Sequence, residues 1–230
     1  MDAKAAGERN PGDIQAVIFD LDGTLTRPYL DFGAIRAELA IAGGQPILEA
    51  MEGMTLPQRA RVEAVLDRHE AEAAGNSELH DGAAEMLATL RSRGVRLGLL
   101  TRNSRRSVET VLAKHALAFD FIRTREDGAI KPSAEPVMAI CRALGVAPAR
   151  TLTVGDYLFD IQAGRAAGTR TALMIGDGEP PPFAGDADYV IRQLSEILTI
   201  VDGTTGGRDR AAEAPAGPHA PPEPARPEDR

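Results

Sequence analysis

The sequence predicts an α/β protein: a doubly wound parallel sheet core carrying a small α-helical insertion. Three observations carry that prediction. Short apolar runs suited to buried strands alternate with amphipathic helical patterns from residue 81 onward, the arrangement that a parallel sheet requires. Residues 31–75, between the first run and the second, show helical spacing and no convincing strand. Acidic, hydroxyl and basic side chains follow several of the runs, and open α/β sheets bind ligands at the carboxyl ends of their strands.

The first strand is Ala16, Val17, Ile18 and Phe19, followed at once by Asp20 and Asp22. A sheet interior does not tolerate unpaired charge, so these carboxylates are expected to point into the crevice beyond the strand. Gly23 lets the chain turn sharply there. In the insertion, Val62, Val65, Leu66, His69 and Ala73 recur at helical spacing after Pro57, a residue suited to a first helical turn. Ala83, Met86, Leu87 and Leu90 line the next helix, and residues 95–101 form the second strand. Val108, Val111, Leu112 and His115 line another helix, residues 121–123 read as a short strand, and Val137, Ile140, Cys141 and Leu144 mark a helix ending at Gly145. Strands at residues 151–155 and 171–175 flank a short helix over 159–168, and residues 189–201 supply a last strand and helix.

Composition narrows the function. An apolar fraction of 43% in 230 residues suffices for a real core, and no stretch approaches the ~20 apolar residues of a membrane span. Residues 1–13 are polar and carry no secretory hydrophobic region, which predicts a cytoplasmic location. A net charge of −8 argues against a nucleic-acid surface while allowing a local basic pocket for phosphate. Cys141 is the only cysteine and sits on an apolar helix face, so it reads as packing rather than redox chemistry. Lys4, Lys114 and Lys131 are the only lysines among 26 basic residues. Of these, Lys131, in a loop before Pro132, alone looks placed for chemistry. The scattered histidines lack metal-ligand spacing and read as packing, with His80 less settled where the insertion rejoins the sheet. Beyond Val201 the apolar side chains are alanine and proline, so residues 202–230 are expected to be a disordered tail.

The strand-end residues together suit phosphate chemistry. Asp20 and Asp22 offer a nucleophile and a proton carrier. Thr101 ends the second strand, and Asn103 and Ser104 open a helix whose N–H groups suit an anion. Lys131 adds a positive charge, and Asp156 and Asp160 add two carboxylates four residues apart. Four aspartates repel one another, and an all-oxygen ligand set suits a hard divalent cation, magnesium first.

These residues resemble the motifs of the haloacid dehalogenase superfamily: Asp-x-Asp-Gly-Thr at 20–24, a strand-end Thr101, Lys131-Pro132, and Gly-Asp-x-x-x-Asp at 155–160, in that order. The resemblance covers residues from about 14 to 200. It implies a Rossmann-like core with a helical cap. It makes Asp20 the nucleophile that forms an aspartyl phosphate, Asp22 the general acid and base, Thr101 a phosphate ligand and Lys131 the charge that steadies both. Magnesium would bind Asp20, Asp156, the backbone carbonyl of Asp22, and Asp160 directly or through its water. Arg102 and Asn103 join Thr101 and Lys131 as expected substrate-binding residues. Asp22 points away from carbon–halogen chemistry, because the superfamily's dehalogenases lack that second aspartate. The insertion is placed as in phosphoglycolate-phosphatase-like and phosphoglucomutase-like members. Arg27-Pro28 and Arg102 depart from their usual residues, which leaves the substrate open. Arg36, Arg59, Arg61, Arg68 and Glu52 of the insertion read as solvated charges.

The expected organisation is a flexible terminus over 1–13, a core over 14–28 and 79–201, a cap over 29–78, and the tail. The expected activity is magnesium-dependent hydrolysis of a small phosphorylated metabolite, a phosphoglycolate-like phosphomonoester, with neither nucleic acid nor membrane as partner. A phosphomutase and a noncatalytic phosphate-binding protein are the alternatives.

Overall fold

A computed structural model of the chain describes residues 14–42 and 44–203. The expectations for residues 1–13 and 204–230 lie outside the described residues. Six strands, β1 (Ala16–Phe19), β2 (Arg96–Leu100), β3 (Phe121–Arg123), β4 (Thr151–Gly155), β5 (Arg170–Met174) and β6 (Tyr189–Ile191), form one parallel sheet in the order β3-β2-β1-β4-β5-β6. This is the doubly wound sheet that the sequence predicts. Its order reverses at β1, between β2 and β4, and a reversal of this kind opens a crevice at the carboxyl ends of the strands.

The helices of the described residues are α1 (Phe32–Leu39), α2 (Ile47–Ala50), α3 (Leu56–Asn76), α4 (Ala83–Ser92), α5 (Arg105–His115), α6 (Glu135–Leu144), α7 (Leu158–Ala167) and α8 (Glu196–Val201). Side chains of a strand alternate between its faces, and β1 shows what that does. Val17 and Phe19 pack with Leu97, Leu99 and Val154 against residues of α4, α5 and α8. Ile18 packs on the other face with Val137, Ile140 and Cys141 of α6 and Ala163 of α7. By the same alternation Asp20 continues the Ile18 side, the side from which α6 and α7 approach. Cys141 is buried in that layer, as its helix face predicts. Gly98 lets α6 sit close to β2, because a Cβ there would fall 2.6 Å from Ile140 Cγ2.

The chain divides into two compact units, one formed by Asp31–Leu66 and the other by the described residues before and after that stretch. In the smaller unit Asp31 caps α1 by accepting from the Ala34 N–H at 2.9 Å, and Ile35 is buried. Arg59 donates to the carbonyls of Met54 and Glu52, at 3.1 and 3.0 Å, so its guanidinium is held by its own unit's backbone. In the larger unit the segments entering and leaving the insertion pair with each other: Arg27 N–H donates to Glu78 O at 2.8 Å and His80 N–H to Leu25 O at 2.9 Å. The C-terminal end of α3 is held by α5. Lys114 Nζ donates to the carbonyls of Gly75 and Ser77 at 2.7 and 2.8 Å, and the His115 ring meets the Ser77 hydroxyl at 2.9 Å. Lys114 thus has a structural reason that its sequence position does not reveal.

Gly98→Ala is expected to destabilise the protein by about 1–3 kcal/mol through overpacking against Ile140. Gly75→Ala, in exposed and open space within α3, should instead stabilise it by about 0.5–1 kcal/mol through helix propensity and the stiffer unfolded chain. Urea unfolding of the two variants checks both signs.

Candidate active site

The loop after β1 is built to present its aspartates. Asp20 N–H still pairs with Val154 O of β4 at 2.9 Å, which carries strand geometry one residue beyond Phe19. Leu21 and Leu25 are fully buried and anchor the turn, while Leu21 O accepts from the N–H groups of Leu25 and Thr26 at 2.9 and 3.0 Å. Gly23 has φ +81° at the turn, and a Cβ there would collide with the Asp156 carboxylate. Gly155, at the end of β4, likewise leaves space that the Asp160 carboxyl fills. Each glycine thus gives up its side-chain volume to an aspartate from the neighbouring loop.

Asp20, Asp156 and Asp160 place carboxylate oxygens within 4.8 Å of one another. Lys131 Nζ lies 2.5 Å from Asp20 Oδ1 and 2.6 Å from Asp160 Oδ1, with all three groups buried. Burial alone would lower the Lys131 ammonium, but Asp160 and Asp20 beside it raise it, so it stays charged. Burial pushes the Asp20 carboxyl well up, and Asp160 and Asp156 add to this against the pull of Lys131. Burial and the nearby Asp160 push Asp156 up to about 7. One ammonium therefore faces three carboxylates, and their mutual repulsion is relieved either by protonation or by a further cation. Oxygen donors at this spacing fit a hard divalent ion. Thr24 Oγ1 donates to Asp156 Oδ1 at 3.3 Å, and Asp160 Oδ2 accepts from the Tyr157 N–H at 3.2 Å at the start of α7.

Asp22 stands apart from that cluster. Its Oδ2 accepts from Asn103 Nδ2 and its Oδ1 from Thr26 Oγ1, the latter at 3.4 Å. Burial raises its carboxyl, while Asn103, Lys131 and Thr26 pull it back. Thr101 is buried at the end of β2, with its N–H donating to Arg123 O at 3.1 Å and its hydroxyl accepting from the Asn103 N–H at 3.2 Å. Arg102 packs its guanidinium 4.8 Å from the centre of the Phe159 ring and donates to Lys131 O at 3.1 Å, so it ties two of the loops together.

One expectation needs correction. The start of α5 does not hold its N–H groups open for an external anion. The Glu70 carboxylate accepts from Ser104 N–H at 3.0 Å, Glu126 from Arg105 N–H at 3.0 Å, and Ser104 Oγ from Ser107 N–H at 3.4 Å. The partial positive charge of the helix end is met from within the protein. Glu70 was invisible to sequence reasoning, because a glutamate in a long polar helix carries no signal of where its carboxylate lands. His80 lies where the insertion rejoins the sheet. It lines a cleft of about 500 Å³ with Gly23, Asp156, Tyr157 and Asp177, and its Nε2 is buried without a hydrogen-bond partner.

The family description "haloacid dehalogenase-like hydrolase" matches residues 14–168. The chain is 31% identical to the N-acetylmuramic acid 6-phosphate phosphatase of Pseudomonas putida over 225 residues, covering 84% of this chain and 99% of that protein. It is 30% identical to a putative pyrophosphatase PpaX of Clostridium perfringens, covering 82% and 98%. Among solved structures, CbbY of Rhodobacter sphaeroides in complex with phosphate superimposes with a TM-score of 0.66 at 25% identity, covering 82% and 99%.

Lys131→Met should destabilise the metal-free protein by about 3–5 kcal/mol at pH 8, since it leaves buried carboxylates without their ammonium. The loss should shrink at pH 5.5. Asp156 binds its proton more tightly in the folded chain, near 7, than at its ordinary 3.8, so protonation favours the folded state. That stabilisation is full below about pH 4 and lost as pH rises through about 7. Denaturant unfolding in chelator at the two pH values measures it.

Proposed function

The chain belongs to the haloacid dehalogenase-like hydrolases, and from that premise we propose that it is a magnesium-dependent phosphatase acting on a small phosphomonoester through an aspartyl phosphate at Asp20. The observation that carries this reading is the separation of the two aspartates of the first loop. Burial raises both carboxyls, but Asp20 touches the Lys131 ammonium, which favours its ionised form, whereas Asp22 lies outside the cluster on the neutral Asn103 amide. A nucleophile and a proton donor need such different neighbours.

In this reading the carboxylate of Asp20 attacks phosphorus while Asp22 gives its proton to the departing oxygen, and Asp22 then takes a proton from the water that opens the aspartyl phosphate. Lys131 and the Thr101 hydroxyl hold the phosphoryl oxygens, and Asn103 keeps the Asp22 side chain aimed. Asp20, Asp156, the Asp22 carbonyl and Asp160 would hold the cation. When bound, the cation offsets the like charge between the dianionic phosphate and Asp20. The similarity to a sugar-phosphate phosphatase and to a putative pyrophosphatase supports the phosphatase class and leaves several substrates in view, phosphoglycolate-like esters among them. Release of one inorganic phosphate per substrate consumed separates this reading from a phosphomutase and from noncatalytic phosphate binding.

Asp20→Asn should abolish phosphate release, because the attacking oxyanion is gone. Asp22→Asn should lower kcat on an alkyl phosphate by about 10²–10⁴, and by much less on p-nitrophenyl phosphate, whose leaving group departs without a proton. Initial rates on the two esters test the assignment, and equal losses with phosphorylation rate-limiting would refute it. Chelation should stop turnover, and Asp156→Ala should reproduce that loss in magnesium. Magnesium affinity, followed by calorimetry, should rise from pH 6 to pH 8 as Asp156 gives up the proton that it holds near 7.

A further inference from the structure

Glu70 is a buried carboxylate, 4% exposed, for which the proposed reaction has no use. It projects from the C-terminal half of α3, and its Oε2 accepts from both the N–H and the hydroxyl of Ser104, at 3.0 and 2.8 Å. Its Oε1 pairs with Arg125 Nη1, and its backbone carbonyl accepts from Ser107 Oγ at 3.2 Å. Arg125 also reaches Asp67 at 2.7 Å and donates its backbone N–H to Asn103 O at 3.2 Å.

These contacts converge on one side chain. Asn103 has its own N–H on Thr101 Oγ1, its carbonyl on Arg125 and the next N–H on Glu70, so its backbone is fixed on both sides. The Asn103 amide held this way is the group that donates to Asp22 Oδ2. Attaching α3 to α5 does not by itself need a charge at position 70, because Lys114 and His115 already secure the end of α3. A buried carboxylate is expensive unless it is paired and hydrogen-bonded, and here the pairing is spent on the segment that carries Asn103.

We propose that Glu70 is a positioning residue for proton transfer, acting through Ser104 and Asn103 to hold the Asp22 carboxyl in place. The inference rests on the reading of Asp22 as the general acid. It assigns the start of α5 to an internal carboxylate, and it makes kcat on poor leaving groups sensitive to a residue that touches neither substrate nor Asp22.

The experiment compares Glu70→Ala, Asn103→Ala and the double variant, in the full chain with magnesium, on an alkyl phosphate and on p-nitrophenyl phosphate. Glu70→Ala should lower kcat on the alkyl ester by about tenfold or more, with KM changed by less than about threefold, and lower it far less on the nitrophenyl ester. The double variant should be no slower than Asn103→Ala alone within about a factor of two, because both substitutions break the same chain of contacts. Glu70→Gln keeps an acceptor for Ser104 and should recover part of the loss. Should Glu70→Ala fail to fold, Ser104→Ala removes one of the two bonds without a charge change and should show the same leaving-group signature at smaller size. Equal losses on the two esters, or losses that multiply with those of Asn103→Ala, would overturn the proposal and leave Glu70 a packing residue. Asp22→Asn, run alongside, tells the two failures apart. If it lacks the leaving-group signature, the reading of Asp22 falls and the proposal with it; if it has that signature and Glu70→Ala does not, the proposal alone falls.

Discussion

The contacts of Lys131 with Asp20 and Asp160 set the terms for everything around them. They bring together the end of β1, the loop before α6 and the start of α7, three segments far apart in the chain. Bringing like charges into a buried site is unfavourable, so the surrounding chain is arranged to make it tolerable. Gly23 and Gly155 leave room for the carboxyls of Asp156 and Asp160, Thr24 donates to Asp156, and the start of α7 meets Asp160 with a backbone N–H. The residual excess of negative charge is what the proposed cation would offset.

Two carboxylates in one short loop stand in different surroundings because the sheet and the turn send them to different neighbours. Strand alternation carries Asp20 to the side from which α6 and α7 approach, where an ammonium waits. The turn at Gly23 releases Asp22 from that alternation, and it meets an amide instead. The first has an ammonium in contact to favour its ionised form, and the second has only neutral donors in contact. The proposed separation of their roles rests on this difference in environment rather than on any difference in residue type.

Helix α5 illustrates how an expectation correct in physics can be wrong in partner. The start of a helix does attract an anion, but in this protein the anion is Glu70, from a helix more than 30 positions earlier. Arg125 answers the charge of Glu70 in turn, so an acidic side chain sits buried beside the loop that carries Thr101 and Asn103. Lys114, at the other end of α5, holds α3 through carbonyls and accounts for one of the chain's few lysines.

The sequence by itself determined the parallel sheet, because short continuous apolar runs and helices at period 3.6 announce which faces must be buried, and these are local properties of the chain. It also marked Asp20, Asp22, Thr101 and Asp156 after buried strands, Asp160 at a helix start, and Lys131 as one of three lysines, in a loop. What it left undecided was pairing: that Lys131 bridges Asp20 and Asp160, that Asn103 turns to Asp22, that Arg102 lies on Phe159, and that Glu70 fills the start of α5. Those contacts join residues from 29 to 111 positions apart among the hydrogen bonds that define them, and a long polar side chain can reach many partners with equal ease. Only the closure of the tertiary structure, which fixes backbone positions first and so limits the reach of each side chain, decides among them.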